Sequence, residues 1–296
     1  MVRQLAVLFL VLVGLACGGV DPGGTPSELI VATSIPPHAW LIERIGDDLV
    51  KVHTVLRPGE SPTTHQPSDL QVSRVLSGRV FFRAGVPFES GAWFRALERH
   101  LEVVDLRNGV VTRTMETHVH DSGNARQNSQ ISRGAVDPHI WLSPERLMVQ
   151  ARLITQTLRQ MDPDHDSDYA TRLTDLISEL NELDAFIRTT LAPYRERAFV
   201  VFHPSWGYFA DDYGLRQIAI EIEGNNPTDA ELTRIQEQTR TLGVSVVFVQ
   251  PQIAGKSARA IADVMDARLE TLDPLAPDII ANLRHVANSI AEAFDD

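Results

Sequence analysis

Two α/β lobes, each a parallel sheet flanked by helices, joined by one long rigid helix: this is the architecture the sequence predicts. Three observations carry it. Short β-rich runs alternate with helical stretches in the first half, an amphipathic pattern continues unbroken from about Asp166 to Leu191, and a second set of β-rich runs opens at Ala198. Strands alternating with helices are the sign of parallel βα units.

The elements follow in order. Leu29–Thr33 reads as a buried strand, and Pro36-Pro37 opens an amphipathic segment to Ile45. Residues 50–56, 79–83 and 102–106 are further β-rich runs with helical stretches between or after them. Residues 114–134 break the pattern. They are polar, lack apolar periodicity and carry His118, His120 and Asp121, as expected of a mobile surface loop. Ser143-Pro144 is a helix start, with serine as N-cap and proline at the first helical position, and Asp162-Pro163 stops that helix. Tyr169, Leu173, Leu176, Leu180, Leu183 and Ile187 then share one stripe of a helix about 40 Å long at 1.5 Å per residue, ended by Pro193. A strut between lobes is favoured over a coiled-coil arm, because strands resume at once in 198–202, 217–220 and 244–249. Helices over about 228–242, 257–267 and 277–294 alternate with them. Residues 28–164 are thus expected to form the N-terminal lobe, 165–192 the linking helix and 193–296 the C-terminal lobe. Ligands in such sheets bind beyond the carboxyl ends of the strands.

Composition narrows the function. Of 296 residues, 43% are hydrophobic and 22% charged, which supports a folded core rather than disorder. Acidic residues outnumber basic ones 39 to 27 and no basic block occurs, so a nucleic-acid partner is not expected. A single cysteine excludes an intramolecular disulfide framework, a Cys-rich zinc ribbon and an iron–sulfur cluster. That cysteine, Cys17, follows a basic start and an apolar run over 5–16, too short for a mature membrane span and suited to a signal peptide. Leu15-Ala16-Cys17 resembles a bacterial lipobox, with Gly14 where such motifs usually carry leucine. Residues 1–17 are expected to be a signal peptide, Cys17 a lipidated membrane anchor and 18–27 a flexible tether. Ordinary secretion with cleavage near Ala16 is the alternative. Either way the protein is expected to be exported, to the periplasm or the cell surface.

The ten histidines hold the chemistry. His203 follows the run ending at Phe202, His139 lies in Asp137-Pro138-His139-Ile140-Trp141 just before a capped helix, and His65 lies in a Pro/Thr-rich loop. Asp273 follows a short β-like run. Neutral imidazoles with one carboxylate suit a borderline cation such as Zn²⁺, but no local motif such as HExxH announces a site. Packed or surface histidines are the plainer reading on spacing alone. His53, His100 and His285 read as structural and His165 as solvated near a helix start.

The stretches DPHIWLSP, FHPSWGYF and PQIAGKSARAIADVMDARLETLDPLAPDIIANL resemble the metal-specific solute-binding proteins of ABC importers, the zinc- and manganese-uptake group. The resemblance runs from VATSIPPHAWLIERIGDDLV to the C-terminal helix. It implies two lobes bridged by a rigid helix, a metal site in the cleft between them, and His139, His203 and Asp273 as ligands. The family's fourth ligand is a histidine in a G-x-x-P-H segment. Here GESPTTHQPSD places Thr63 at that position, with His65 two residues on. His65 is the expected replacement, and a water or His38 completing the shell is the alternative. Histidine at 203, where manganese-type members carry glutamate, favours Zn²⁺ over Mn²⁺. Glu221 or Glu223 is expected to orient a ligand histidine through its other ring nitrogen, and Trp141, Trp206, Tyr208 and Phe209 to pack around the site. His118 and His120 form a reduced version of the family's histidine-rich loop, either collecting metal or simply solvated.

The resemblance therefore implies a monomeric, non-enzymatic zinc-binding component that delivers its ion to a membrane ABC permease. The rivals are a zinc hydrolase, which needs an open metal position and a general base, and a surface adhesion or interaction lipoprotein keeping the same fold.

Overall fold

The β-rich runs fold into two four-stranded parallel sheets. The structure, a computed structural model, describes residues 28–115, 135–221, 228–253 and 255–295. Residues 1–27 with Cys17, residues 116–134 with His118 and His120, and Glu223 lie outside the described residues. In the first lobe, β1 (Leu29–Thr33), β2 (Val50–Thr54), β3 (Val80–Arg83) and β4 (Glu102–Asp105) take the order β2-β1-β3-β4. Helices α1 (Pro36–Gly46), α2 (Asp69–Leu76) and α3 (Ala92–Leu97) connect them. Then come α4 (Pro144–Met161) and the long α5 (Asp166–Leu191). In the second lobe β5 (Ala198–Val201), β6 (Arg216–Ala219), β7 (Val246–Val249) and β8 (Arg268–Thr271) repeat the order as β6-β5-β7-β8. Helices α6 (Gly207–Tyr213), α7 (Asp229–Thr241), α8 (Gly255–Met265) and the final α9 (Ile279–Asp295) complete it.

Local chemistry explains the helix boundaries. Ser143 accepts a bond from the Arg146 amide at 3.3 Å, and Pro144 needs no donor partner at the first helical position. The α5 stripe is buried at Tyr169, Leu176, Leu180, Leu183 and Ile187, with Leu173 partly so. This helix packs on α1 and α4 on one side and on α6 and α9 on the other. Arg44 grips Glu179 with two bonds of 3.1 and 2.6 Å, and Tyr213 Oη donates to Asp184 Oδ1 at 3.0 Å, so each lobe is tied to the strut. No described helix is long and apolar enough to cross a membrane.

The alternation of β5 divides its burial between two cores. Phe199 and Val201 join a continuous core running through α5 into the first lobe, whereas Ala198, Val200 and Phe202 join a smaller cluster with Ile235, Ala258 and Ile261 of α7 and α8. Several expectations shift. Strands 50–56 and 102–106 end at Thr54 and Asp105, because the next residues make single bonds (Leu56 N–H to Ser34 O, 2.9 Å) and then leave the sheet. The short α6 carries too few turns to show a period in the sequence, and Gly214 at φ 69° stops it in the left-handed conformation that a Cβ disfavours. His165, expected to be solvated, is partly buried and paired to Asp162 Oδ2 at 2.8 Å, an oxygen that also accepts from Tyr169 Oη at 2.7 Å.

Candidate metal centre

The strand ends of the second lobe build one half of the site. Beyond β5 the Phe202 amide makes a last bond to Phe248 O at 2.8 Å, and a tight turn across Pro204 returns the Ser205 amide to His203 O at 2.8 Å. His203 therefore stands at the sheet's edge with its side chain clear of the ladder. Beyond β6 the Glu221 amide bonds Phe202 O at 2.9 Å, which sets the Glu221 carboxylate against His203 Nδ1 at 2.8 Å.

The other half comes from the segment leading into α4. Asp137 is wholly buried, and its Oδ1 accepts both the backbone N–H of His139 at 3.0 Å and the ring N–H at Nδ1 at 2.8 Å. Burial opposes ionisation of Asp137, but the bonds and charge of His139 and the charge of Arg113 prevail and hold its carboxyl below the ordinary range. Burial also pushes His139 below the usual imidazole range, against the pull of Asp137. The His139 and His203 rings lie 5.4 Å apart between centroids, at 75°. Each gives Nδ1–H to a carboxylate, which leaves Nε2 with its lone pair, the tautomer that binds a cation.

These two histidines line a cavity of about 280 Å³. Its opposite rim is the Ser61–Thr64 turn, and Trp141, Gln252 and Pro274 also border it. Trp141 packs on His139 with centroids 5.2 Å apart and donates Nε1–H to Pro274 O at 2.6 Å, joining the His139 segment to the Asp273 segment across the cleft. Asp273 Oδ1 accepts from Leu275 N at 2.9 Å and from Gln252 Nε2 at 3.1 Å. Asp273 is not among the residues that line the cavity, although its neighbours Pro274 and Leu275 are, and among the described residues no three His, Cys, Asp or Glu side chains converge to metal-holding distance.

The remaining candidates are placed elsewhere. His65 does not line this cavity. The amides of Thr64 and His65 both bond Ser61 O, at 3.3 and 3.0 Å, and this helical turn sends residue 65 away from the side that residue 63 faces. His65 instead meets Glu60 at 3.4 Å and the edge of Phe88 at 5.4 Å between centroids. Thr63 does line the cavity, with its hydroxyl 2.7 Å from Ser61 Oγ. His38 lies inside the first lobe, wholly buried, with Nε2 2.7 Å from Gln150 Oε1 and its ring against the far side of Trp141. Proline-initiated α1 carries it inward rather than to the cleft. Burial lowers its pKa to about 4.

Sequence reasoning missed Asp137 as the carboxylate of His139. Its signal was present in Asp-Pro-His, since proline between the two fixes the chain so that one oxygen reaches both donors of the residue two positions on. Of the Ser61–Thr64 rim, sequence reasoning singled out only Thr63, as a possible additional site residue, and it missed Gln252, whose spacing carries no pattern.

Comparison with known proteins agrees with the geometry. The family described as zinc-uptake complex component A, periplasmic, matches residues 31–293. A putative metal-binding protein of Chlamydia trachomatis is 25% identical over 298 residues, covering 97% of this chain and 99% of its own. The high-affinity zinc uptake system protein ZnuA of Bacillus subtilis is 25% identical over 282 residues, covering 92% and 86%. A solved ZnuA structure shares 34% identity and a TM-score of 0.80, covering 90% of this chain and 98% of that one. The laminin-binding protein of Streptococcus agalactiae, at 22% identity and a TM-score of 0.76, covers 90% and 99% and shares the fold. Matched along nearly all of its folded length, the chain belongs to the zinc-uptake complex component A family of periplasmic solute-binding proteins.

Proposed function

We propose that this protein is the exported zinc-capturing component of an ABC importer, taking Zn²⁺ through His139 Nε2, His203 Nε2 and the Asp273 carboxylate and delivering it to a membrane permease. The observation that carries the reading is the perpendicular histidine pair, each ring oriented by its own carboxylate toward one cavity. Binding draws Asp273 into the cavity to complete three protein ligands. The fourth position faces the Ser61–Thr64 rim, where Thr63 stands and a water would complete the shell; the orientation of His65 toward Phe88 gives it no part in the shell. Two imidazoles favour Zn²⁺ over Mn²⁺, which prefers more oxygen ligands. Glu221 is engaged by His203, so the hydrolase reading gains no general base from it. Residues 1–17 act as the export signal, with Cys17 lipidated as a tether, and the protein works as a monomer.

Zinc titration of the mature chain with Mn²⁺ competition tests the reading. Binding weaker than micromolar, or equal affinity for Mn²⁺, overturns it. His139→Ala, His203→Ala and Asp273→Ala are each expected to lower zinc affinity by more than about 100-fold, beyond the 10–100-fold typical of residues that only orient ligands. His65→Ala is expected to leave affinity within about threefold, and a larger loss restores His65 as the fourth ligand. Protons compete for the imidazoles, so affinity falls with pH.

A further inference from the structure

We propose that Arg113 and Gly207 form a positioning device that sets the His139 ring for metal binding, Arg113 by clamping Asp137 and Gly207 by leaving room for the guanidinium where a Cβ would collide with it. The inference rests on the reading of His139 as a zinc ligand.

The chain of contacts starts at His139. One oxygen of Asp137 holds both the backbone and the ring of His139, and the other accepts from Arg113 Nη1 at 3.1 Å. The Arg113 side chain then crosses the cleft, and its Nε meets Asp211 Oδ2 of α6 at 2.9 Å. The backbones beneath are pinned. Tyr208 Oη donates to Asp137 O at 2.8 Å and accepts from the Arg113 amide at 3.1 Å, while the Asp137 amide bonds Arg113 O at 3.0 Å. From these pinned backbones the guanidinium passes across the first residue of α6.

That residue is Gly207. A Cβ there would fall on Arg113 Nη1, 2.5 Å from its Cζ and 3.0 Å from Asp137 Oδ2. Backbone conformation does not require glycine here, since Gly207 is absent from the positive-φ residues, and glycine is a poor choice within a helix. Space for the guanidinium is the remaining requirement. Because α6 begins four residues after His203, the clamp also refers His139 to the element that carries the second histidine. The 5.4 Å separation of the two rings thus depends on the Arg113 clamp on the His139 side and on the ends of β5 and β6 on the His203 side.

The test measures zinc affinity by chelator competition and the electronic spectrum of the Co²⁺ form for the mature chain, G207A, R113A, the double variant and H139A. G207A and R113A are each expected to weaken zinc binding about 10–100-fold and to alter the Co²⁺ spectrum. The double variant is expected to bind no worse than the weaker single variant, because without the guanidinium the added methyl has nothing to displace. Losses that multiply in the double variant overturn the device, as does a wild-type affinity and Co²⁺ spectrum in either single variant. Should G207A fail to fold, R113A and its spectrum decide alone. Wild-type affinity in H139A overturns the ligand reading and the device together. Loss in H139A with no change in R113A overturns the device only.

Discussion

The two sheets share strand order and pairing, so each residue beyond a strand end in one lobe has a counterpart in the other. Thr33 and Phe82 pair in the first lobe as Val201 and Phe248 do in the second. Thr33 and Thr54 likewise match Val201 and Ala219, and Phe82 and Val104 match Phe248 and Glu270. By this correspondence His203 answers to Ile35, Glu221 to Leu56 and Asp273 to Arg107. The first lobe closes its strand ends. Ile35 and Leu56 are buried, Arg107 turns back onto Asp105 at 2.8 Å, and the buried Glu89 plugs the gap. Glu89 accepts from Ser34 Oγ, from the amides of Ala84 at 2.9 Å and Gly85 at 2.7 Å, and from Arg83 at 3.2 Å. The second lobe leaves the equivalent place to two titratable groups facing a cavity. One topology makes the same crevice twice, and the side chains at the strand exits decide which one is filled. The first lobe serves the site instead through segments outside its sheet, the Ser61–Thr64 turn and Asp137 to Trp141.

Damage at the strand exits of the first sheet is therefore expected to appear as lost stability, and damage at those of the second as lost zinc binding. Glu89→Ala tests the first half most severely. It leaves two amides, a hydroxyl and Arg83 without their acceptor, and about 3–5 kcal/mol of unfolding free energy is expected to disappear in denaturant titration. Glu89→Gln keeps an acceptor and is expected to cost less. An unchanged midpoint in Glu89→Ala ends the comparison.

Next in size is the acid limb of the metal-free protein. His38 lies three residues beyond Ile35 and is held neutral, with its pKa lowered to about 4 by burial, against about 6.5 when unfolded. Between those values the unfolded chain binds more protons, so stability is complete above about pH 6.5 and declines as pH falls toward 4. At about 1.4 kcal/mol per unit, the loss reaches about 3 kcal/mol. Urea midpoints across that range measure it, and His38→Asn is expected to flatten the slope.

Glu221→Gln sharpens the second half. The amide still contacts His203 but stabilises the ligand tautomer less, and zinc affinity is expected to drop about 10–100-fold with little change in the urea midpoint. The smallest effect falls to Trp141→Phe, which keeps the ring on His139 and removes the bond to Pro274. About 0.5–1.5 kcal/mol of stability is expected to go, with a few-fold faster zinc release in stopped-flow chelation, since the Asp273 segment loses its tie to the His139 segment.

Much of the frame was legible. The α5 stripe, the Ser143-Pro144 start and the apolar runs of β1, β5 and β7 are local patterns that survive folding, and α7, α8 and α9 end within two residues of their expected bounds, whereas α6 was not expected. The site was less so. Resemblance pointed to His139, His203 and Asp273, and a carboxylate orienting a ligand histidine was anticipated at Glu221 or Glu223; Glu221 meets His203. The placement of His38 and His65 was not anticipated, because a histidine one to three residues past a proline can face either way depending on the turn it enters.

By itself the sequence determined which segments are strands and helices and that two similar lobes flank a long strut; the candidate ligands came from family resemblance. The elements and their order rest on periodicities of 2 and 3.6 and on neighbours along the chain. The tertiary structure alone decided which histidines meet, which carboxylate orients each, and which of two equivalent crevices stays empty. Those outcomes depend on contacts between residues far apart in sequence, such as Arg113 with Gly207 and Trp141 with Pro274, and no local pattern encodes them.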